Sequence, residues 1–417
     1  MPQPSALACV QCGARYPIGD FARDCEVCRR AGAPANLTVA YDTGPGHGVD
    51  RGQVPTSPAS LWRWRAFLPA PAAEAVTLGE GNTPLLPVPA LGLGDLWIKD
   101  ESRNPTWSFK DRLASSAVTM ARSFGARMIV SSSSGNAGAA AAAYAAKAGL
   151  PCVVFTFRAA APPMITQIRA YGAMVVMLET PQQRWPLQSL AVERLGWYPT
   201  SPFFGPVVGS NPYGIEGYKT IAFEIAEAFD WQLPDWCVLP VAYGDALYGI
   251  WKGFCELEAL GWTDRVPRFA AAEISGSLGA ALAGGERLPP MRSRNAATLA
   301  TSIGTPQSTV QALGVLRRTG GAAVTIENDE LTRWQLALAR TEGIWAEPSS
   351  VAPLAAIERL RQQGTIAPEA RVVALVTASG LKDTAATDAA VPVPPLVSGG
   401  LDDVLHALKD VYGFADG

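Results

Sequence analysis

The stretch ESRNPTWSFKDRLASSAV, residues 101–118, decides how this chain is read. It sets Lys110, one of only seven lysines against twenty-seven arginines, just inside a helix start. NPT makes a turn. Ser108 fits an N-cap, and Asp111 three residues on completes a near capping box. Lys110 then falls in the first helical turn, where the macrodipole disfavours a cation. A lysine that must react as a free amine gains from that destabilisation. A lysine whose head simply reaches solvent gains nothing, and at this point the two readings stand even.

Composition narrows what such a lysine can serve. The chain has 417 residues, 48% hydrophobic and 17% charged, with a formal net charge of −3. That suits a globular protein of two or three domains with a large core. It gives no general pull towards nucleic acid or an anionic membrane. The first residues, MPQPSALACVQCG, lack the pattern of a secretory signal, no apolar run reaches a membrane span, and the chain is read as cytoplasmic. Only two histidines occur, His47 and His406. A Ser-His-Asp triad or a multi-histidine metal centre is therefore nearly excluded. Proton transfers must fall to lysine, carboxylates, tyrosine or a cofactor.

Four of the seven cysteines form CVQC (Cys9, Cys12) and CEVC (Cys25, Cys28). Two C-x-x-C pairs at this spacing fit a zinc ribbon, whose four thiolates close a tetrahedron around a structural ion. The alternative is two disulfides, which the missing export signal disfavours. Cys152, Cys237 and Cys255 sit in apolar contexts and read as core residues. The arginines near the knuckle are nearly balanced by acids, so a docking or stabilising role is preferred to nucleic-acid binding. Residues 1–35 are assigned to this knuckle. Residues 36–75, rich in Pro, Gly and Ala, read as a linker with a short helix near SLWRWRAFL. All the catalytic motifs described below lie after residue 76, so removing residues 1–35 is expected to leave them working.

From residue 76 onward, apolar runs alternate with helical patterns: ARMIVSS (126–132), PCVVFTF (151–157), AMVVML (173–178), WCVLPV (236–241), PRFAAAEI (267–274), AAVTIEN (322–328), GIWAEP (343–348) and RVVALVT (371–377). Such runs predict parallel sheets covered on both faces. Ligands then sit beyond the carboxyl ends of the strands. Three loops there draw notice: SSSSGNAG (131–138), AYGDALYG (242–249) and TASGLKD (377–383). The first two open helices and could cradle anions. Each alone is equally readable as a plain strand-to-helix loop.

Together, GEGNTPLL (79–86), KDESRNPTWSFKDR (99–112), SSSGNAG (132–138), NPYGIEGYKTIAFEI (211–225) and VTASGLKD (376–383) resemble the threonine synthases in order and spacing. The resemblance covers roughly residues 76–390. It implies an α/β pyridoxal-phosphate fold of type II, with two doubly wound open-sheet domains preceded by the small zinc-ribbon-like knuckle. Residues 76–417 would form the catalytic unit, its smaller domain spanning about 115–205.

The resemblance also implies roles. Lys110 would carry pyridoxal phosphate as an aldimine and shuttle protons, with Phe109 against the cofactor and Asn136 bonded to its ring oxygen. Ser133, Ser134 and Gly135 would hold the substrate carboxylate. Ala242, Tyr243, Gly244, Asp245 and Ala246 would cradle the cofactor phosphate. Thr377 would face the pyridine nitrogen, and a hydroxyl there suits elimination and replacement chemistry. The partner implied is a small amino acid, with neither nucleic acid nor membrane, and the assembly a homodimer.

The departures bear on the substrate. Where the family commonly reads N-S-x-N-P-x-R-x-E-G-Q-K-T, this chain reads VGSNPYGIEGYKT (208–220). Val208, Gly209 and Gly214 thus replace side chains that help to hold the substrate phosphate, and Ala137 replaces a threonine. Asp245 is an unexpected charge beside a phosphate, and Trp107 stands where a small residue is usual. Three functions follow for testing: conversion of phosphohomoserine to threonine, a lyase or transferase acting on a non-phosphorylated amino acid, or a binding protein with an idle fold. Arg158 or Arg169 entering the pocket would restore phosphate binding, and Gly214→Arg is expected to do the same.

Overall fold

A computed structural model describes residues 4–19, 23–70, 74–158, 160–294 and 297–414. Three sheets organise it. The first is antiparallel, order β2-β1-β3, from β1 (Pro4–Cys9), β2 (Arg15–Tyr16) and β3 (Leu37–Tyr41). The second has six strands in the order β12-β11-β10-β13-β5-β4. These are β4 (Leu85–Pro87), β5 (Leu96–Asp100), β10 (Trp236–Pro240), β11 (Arg268–Glu273), β12 (Ala322–Thr325) and β13 (Val372–Val376). All pair in parallel except the edge strand β4. The third is parallel, order β8-β7-β6-β9, from β6 (Ile129–Ser131), β7 (Cys152–Phe157), β8 (Met174–Leu178) and β9 (Tyr198–Pro199).

The continuous apolar runs have a direct cause in the six-stranded sheet. Successive side chains of a strand point to opposite faces. Cys237, Leu239, Phe269, Ala271, Val373 and Leu375 join one core. Trp236, Val238, Ala270, Ala272, Val372 and Ala374 join the core on the other face. With both faces covered, the middles of these strands are apolar, and charged residues occur only towards their ends.

The chain leaves this sheet after β5, builds the four-stranded sheet, and returns at β10. Segments after β5, β13 and β10 therefore emerge side by side, because those three strands are neighbours. Two helices of the crossing, Lys110–Ser123 and Asn136–Ala148, pack together through small side chains. Ala114, Ala117 and Ala121 are fully or almost fully buried, as are Ala139 to Ala142.

The structure revises several expectations. GIWAEP is not a strand: Ala346 makes an isolated bridge with Ser379, and Glu347 is the N-cap of the helix Pro348–Gln362. Pro348 explains this, since a proline lacks the donor a ladder needs but suits a first helical position. β5 went unread because its last residues, Lys99 and Asp100, are charged; Lys99 is buried against Glu224 at 2.7 Å.

Residues 36–70 belong to the fold and are not a linker. Leu37–Tyr41 is the third strand of the cysteine sheet, and the turn Leu61–Phe67 buries Trp62, Trp64 and Phe67. Residues 4–19 and 23–35 also pack against the rest of the chain. Tyr213 donates to the Gly19 carbonyl at 3.0 Å, and Arg23 pairs with Glu193. Leu7, Cys9, Cys25 and Leu37 share a core with Trp62, Met120 and Tyr213. Among the described residues no helix is long and apolar enough to cross a membrane.

Candidate active site

The loop carrying Lys110 is stitched to the end of β13. The Phe109 N–H donates to the Thr377 carbonyl at 2.9 Å, and the Ser379 N–H to the Trp107 carbonyl at 3.1 Å. Trp107 adopts φ 64° and stays 49% exposed, so it turns the chain at the rim rather than filling the pocket. Ser108 does not form the expected capping box. Its Oγ accepts from the Lys110 N–H at 3.1 Å, while Asp111 turns back to accept from the Thr106 N–H at 2.6 Å and from the Thr106 hydroxyl. Asp111 is fully buried, and burial pushes its carboxyl up to about 7 despite those bonds.

Lys110 opens its helix, partly buried, with Nζ 4.5 Å from the Phe109 ring centroid and 5.7 Å from that of Tyr218. Burial draws its pKa below the ordinary lysine value, and Asp245 and Glu347 pull it only part of the way back. A lysine kept towards its neutral form at a strand-end crevice marks a functional site. Phe109 stacks on Tyr218 at 5.2 Å and 26°.

Around this amine the expected loops converge. Asn136 begins its helix after Ser133, Ser134 and Gly135, and the first bond there is the Ala139 N–H to the Gly135 carbonyl. The N–H groups of Asn136, Ala137 and Gly138 thus lack helical acceptors, as helix starts must. A Cβ on Gly138 would stand 2.0 Å from the Ser133 carbonyl oxygen, so only glycine lets the loop fold so tightly. The Asn136 amide donates to Glu347 at 3.0 Å. Past β10, Gly244 sits at φ 78° against Ala312, where a Cβ would lie 2.3 Å away. The helix Asp245–Ala259 follows, its first bond running from the Tyr248 N–H to the Gly244 carbonyl. Thr377 Oγ1 lies 2.8 Å from Ser350 Oγ.

Two buried polar atoms facing this region have no partner among the described residues: Asn136 Oδ1 and the Tyr218 hydroxyl. Together with the free N–H groups after Gly244, they are what a polar, anionic ligand would satisfy.

The profile of the pyridoxal-phosphate dependent enzymes matches residues 76–378. This chain belongs to that family. It is 33% identical to the threonine synthase of Methanosarcina acetivorans over 410 residues, covering 96% of this chain and 98% of that one. It is 31% identical to the threonine synthase of Methanocaldococcus jannaschii, covering 97% and 99%. Among solved structures, O-ureido-L-serine synthase aligns at a TM-score of 0.60 and 25% identity, over 78% of this chain and 96% of that one. An L-serine ammonia-lyase from Rhizomucor miehei aligns at 0.62 and 20% identity, over 74% and 97%. The fold is therefore type II, and the chain is a pyridoxal-phosphate-dependent lyase of threonine-synthase type.

Residues of this family member that sequence reasoning passed over also line the crevice. Glu347 was hidden in GIWAEP, taken for a strand. Its carboxyl is raised by burial and steadied by Asn136. Tyr218 was legible only as a tyrosine where the related pattern has glutamine. Arg184 starts the helix Arg184–Leu195, lies over Phe157 at 4.9 Å and donates to the Ser132 carbonyl at 3.0 Å. Lys382 is buried and donates to Gln167 at 2.5 Å, linking the two parallel-sheet lobes; burial brings its pKa down to about 8.

The cysteines also converge. Their four Sγ atoms lie within 4.8 Å of one another, with Cys9–Cys28 at 3.6 Å and Cys12–Cys25 at 3.5 Å. A disulfide requires about 2.05 Å. Four sulfurs about 2.3 Å from a tetrahedral zinc would be roughly 3.8 Å apart. The set fits zinc.

Proposed function

We propose that this enzyme eliminates or replaces a β or γ substituent of an L-amino acid, with Lys110 as its reacting amine. The observation that carries this is the placing of the half-buried Lys110 amine, 4.5 Å from the Phe109 ring centroid, at the meeting of the Ser133–Asn136 loop, the Gly244 turn and Thr377, with burial drawing its pKa down. Bound pyridoxal phosphate supplies an electron sink for charge developing at the substrate Cα. Lys110, its amine held towards the neutral form by burial, would bind the cofactor aldehyde and, once displaced by the amino group of the substrate, would take and return the Cα proton. Free N–H groups from Asn136 to Gly138, with Ser133, Ser134 and Gly135, orient the substrate carboxylate. Glu347 holds the Asn136 side chain still. The turn Ala242–Ala246 binds the cofactor phosphate through backbone N–H groups. Thr377 and Ser350 offer neutral hydroxyls to the ring nitrogen, which a neutral group leaves unprotonated. Cys9, Cys12, Cys25 and Cys28 hold one structural zinc.

The geometry near Gly209 favours a substrate without a phosphate. Val208 is buried. A Cβ on Gly209 would come within 2.6 Å of the Asp245 carboxylate, and one on Gly214 within 2.8 Å of Leu113. The same Cβ would lie 2.6 Å from Asn36 Nδ2 and from Gln311 Nε2, so this side-chain cluster fills the space where the related enzymes have a serine side chain. Arg158 and Arg169 are exposed, and neither is held in place by a hydrogen bond or ion pair to the stretch 208–214. Charge-assisted bonds contribute about 1.5–3 kcal/mol each, so losing two costs on the order of a hundredfold or more in affinity. Phosphohomoserine is expected to react with kcat/KM about a hundredfold below the best non-phosphorylated hydroxy amino acid. Steady-state assays of phosphohomoserine, homoserine, serine and threonine check this. Efficient threonine formation from phosphohomoserine would return the assignment to the activity named for the methanogen relatives. Gly214→Arg is no longer a route to phosphate binding, because Leu113 closes that space.

A further inference from the structure

Asp245 is the first residue of the helix whose N-terminus the preceding section assigns to the cofactor phosphate, and the inference rests on that assignment. An aspartate at a helix start has a ready alternative, which is to accept from the free N–H groups of its own first turn. There it would occupy the phosphate donors and repel the dianion. In the structure it is turned away. Asp245 Oδ1 accepts from Gln311 Nε2 at 2.6 Å and from the Ser210 N–H at 3.1 Å, and Oδ2 accepts from Ser210 Oγ at 2.7 Å.

The group that sets this arrangement comes from the cysteine sheet. Asn36, 2% exposed, donates through Nδ2 to Gln311 Oε1 at 3.3 Å and to the Ser210 carbonyl at 3.1 Å. By engaging Oε1 it turns the Gln311 amide so that Nε2 faces Asp245. Asn36 is itself fixed by both cysteine turns. The Val10 N–H, next to Cys9, donates to the Asn36 carbonyl at 3.1 Å, and the Cys25 N–H donates to the Ala35 carbonyl at 3.0 Å.

We propose that Asn36 is a positioning residue for cofactor binding: anchored by the metal-bound cysteine turns, it holds the Asp245 carboxylate off the phosphate-binding helix start. The zinc knuckle then governs cofactor affinity through one side-chain relay, although it supplies no group to the chemistry.

The test measures affinity of the full-length chain for pyridoxal 5′-phosphate and for pyridoxal, by absorbance titration after cofactor removal, with zinc counted by mass spectrometry. Asn36→Ala should bind the phosphate ester at least about tenfold more weakly, the effect of one uncompensated charge, and pyridoxal unchanged. Asp245→Ala should bind the ester at least as tightly as wild type. Adding Asp245→Ala to Asn36→Ala should restore affinity. Zinc removal by 1,10-phenanthroline should weaken binding in wild type and not in Asp245→Ala. If Asn36→Ala does not fold, Gln311→Leu takes its place with the same expected results. The proposal is overturned if Asn36→Ala binds as wild type does, if the double variant stays weak, or if zinc removal affects wild type and Asp245→Ala alike. Equal wild-type affinity for the ester and for pyridoxal would instead remove the phosphate assignment on which the proposal stands.

Discussion

Lys110→Ala is expected to lower turnover by several orders of magnitude while the chain stays folded. In the role proposed for Lys110 the nucleophile and the proton carrier would be lost together, and each is a contribution of roughly a hundredfold or more. Stability should change little, because the amine makes no ion pair within bonding distance among the described residues and its removal relieves a desolvated charge. The wild-type protein should be yellow, lose that band on borohydride reduction, and carry the added mass on the peptide containing Lys110. Label on Lys99, Lys219 or Lys382 would show that another buried lysine is the reactive one.

Arg112→Leu is expected to cost about 3–5 kcal/mol of stability, the typical result of stripping one partner from a buried ion cluster. The Arg112 guanidinium is fully buried and bonded at 2.7 Å to both Glu101 and Glu224. Without it Glu224 keeps Lys99 at 2.7 Å, while Glu101 keeps only the neutral donors Thr83 and Asn104 among the described residues. Urea unfolding would measure the loss, and a change under about 1 kcal/mol would contradict it. The same cluster sets acid sensitivity. Burial alone would raise both carboxyl groups, but Arg112 and Lys99 outweigh it and hold them below the usual glutamate range. Folded values below the unfolded one of about 4.3 give stabilisation that is complete above that pH. It fades as the pH falls through the folded values, and Arg112→Leu should flatten that acid limb.

What the sequence revealed, and what it hid, follows from where each residue's partners lie. β10, β11 and β13 were legible because both faces of each strand are apolar. The Lys110 loop was legible because a turn and a helix start leave local marks. β5 was hidden because it ends in two charges: Lys99 is satisfied by Glu224, which is distant in sequence, and Asp100 by Ser102 and Arg103 just beyond the strand. Glu347 and Tyr218 were hidden for a similar reason: their surroundings come from several strand ends, and their neighbours in the chain say nothing of it. Asp245 was noticed as an oddity, but its holding partners, Ser210, Gln311 and Asn36, come from three separate segments. The 36–75 stretch was misread because composition reports flexibility while Trp62, Trp64 and Phe67 report burial.

The alanine-lined contact between the helices Lys110–Ser123 and Asn136–Ala148 has a mechanical consequence. Methyl groups carry no rotamers, so one such surface can glide on another by fractions of an ångström without unlocking any side chain. Asn136 and the loop before it ride at one end of the gliding helix, and Lys110 sits at the end of its counterpart. The distance between the Lys110 amine and the loop 133–135 is thus expected to adjust at low friction. Ala141→Leu would key the two surfaces together. It should cost about 1–3 kcal/mol through overpacking. Stopped-flow measurement of substrate capture should then show a slowed step even where residual chemistry survives, whereas unaltered capture would mean that the two helices move as one block.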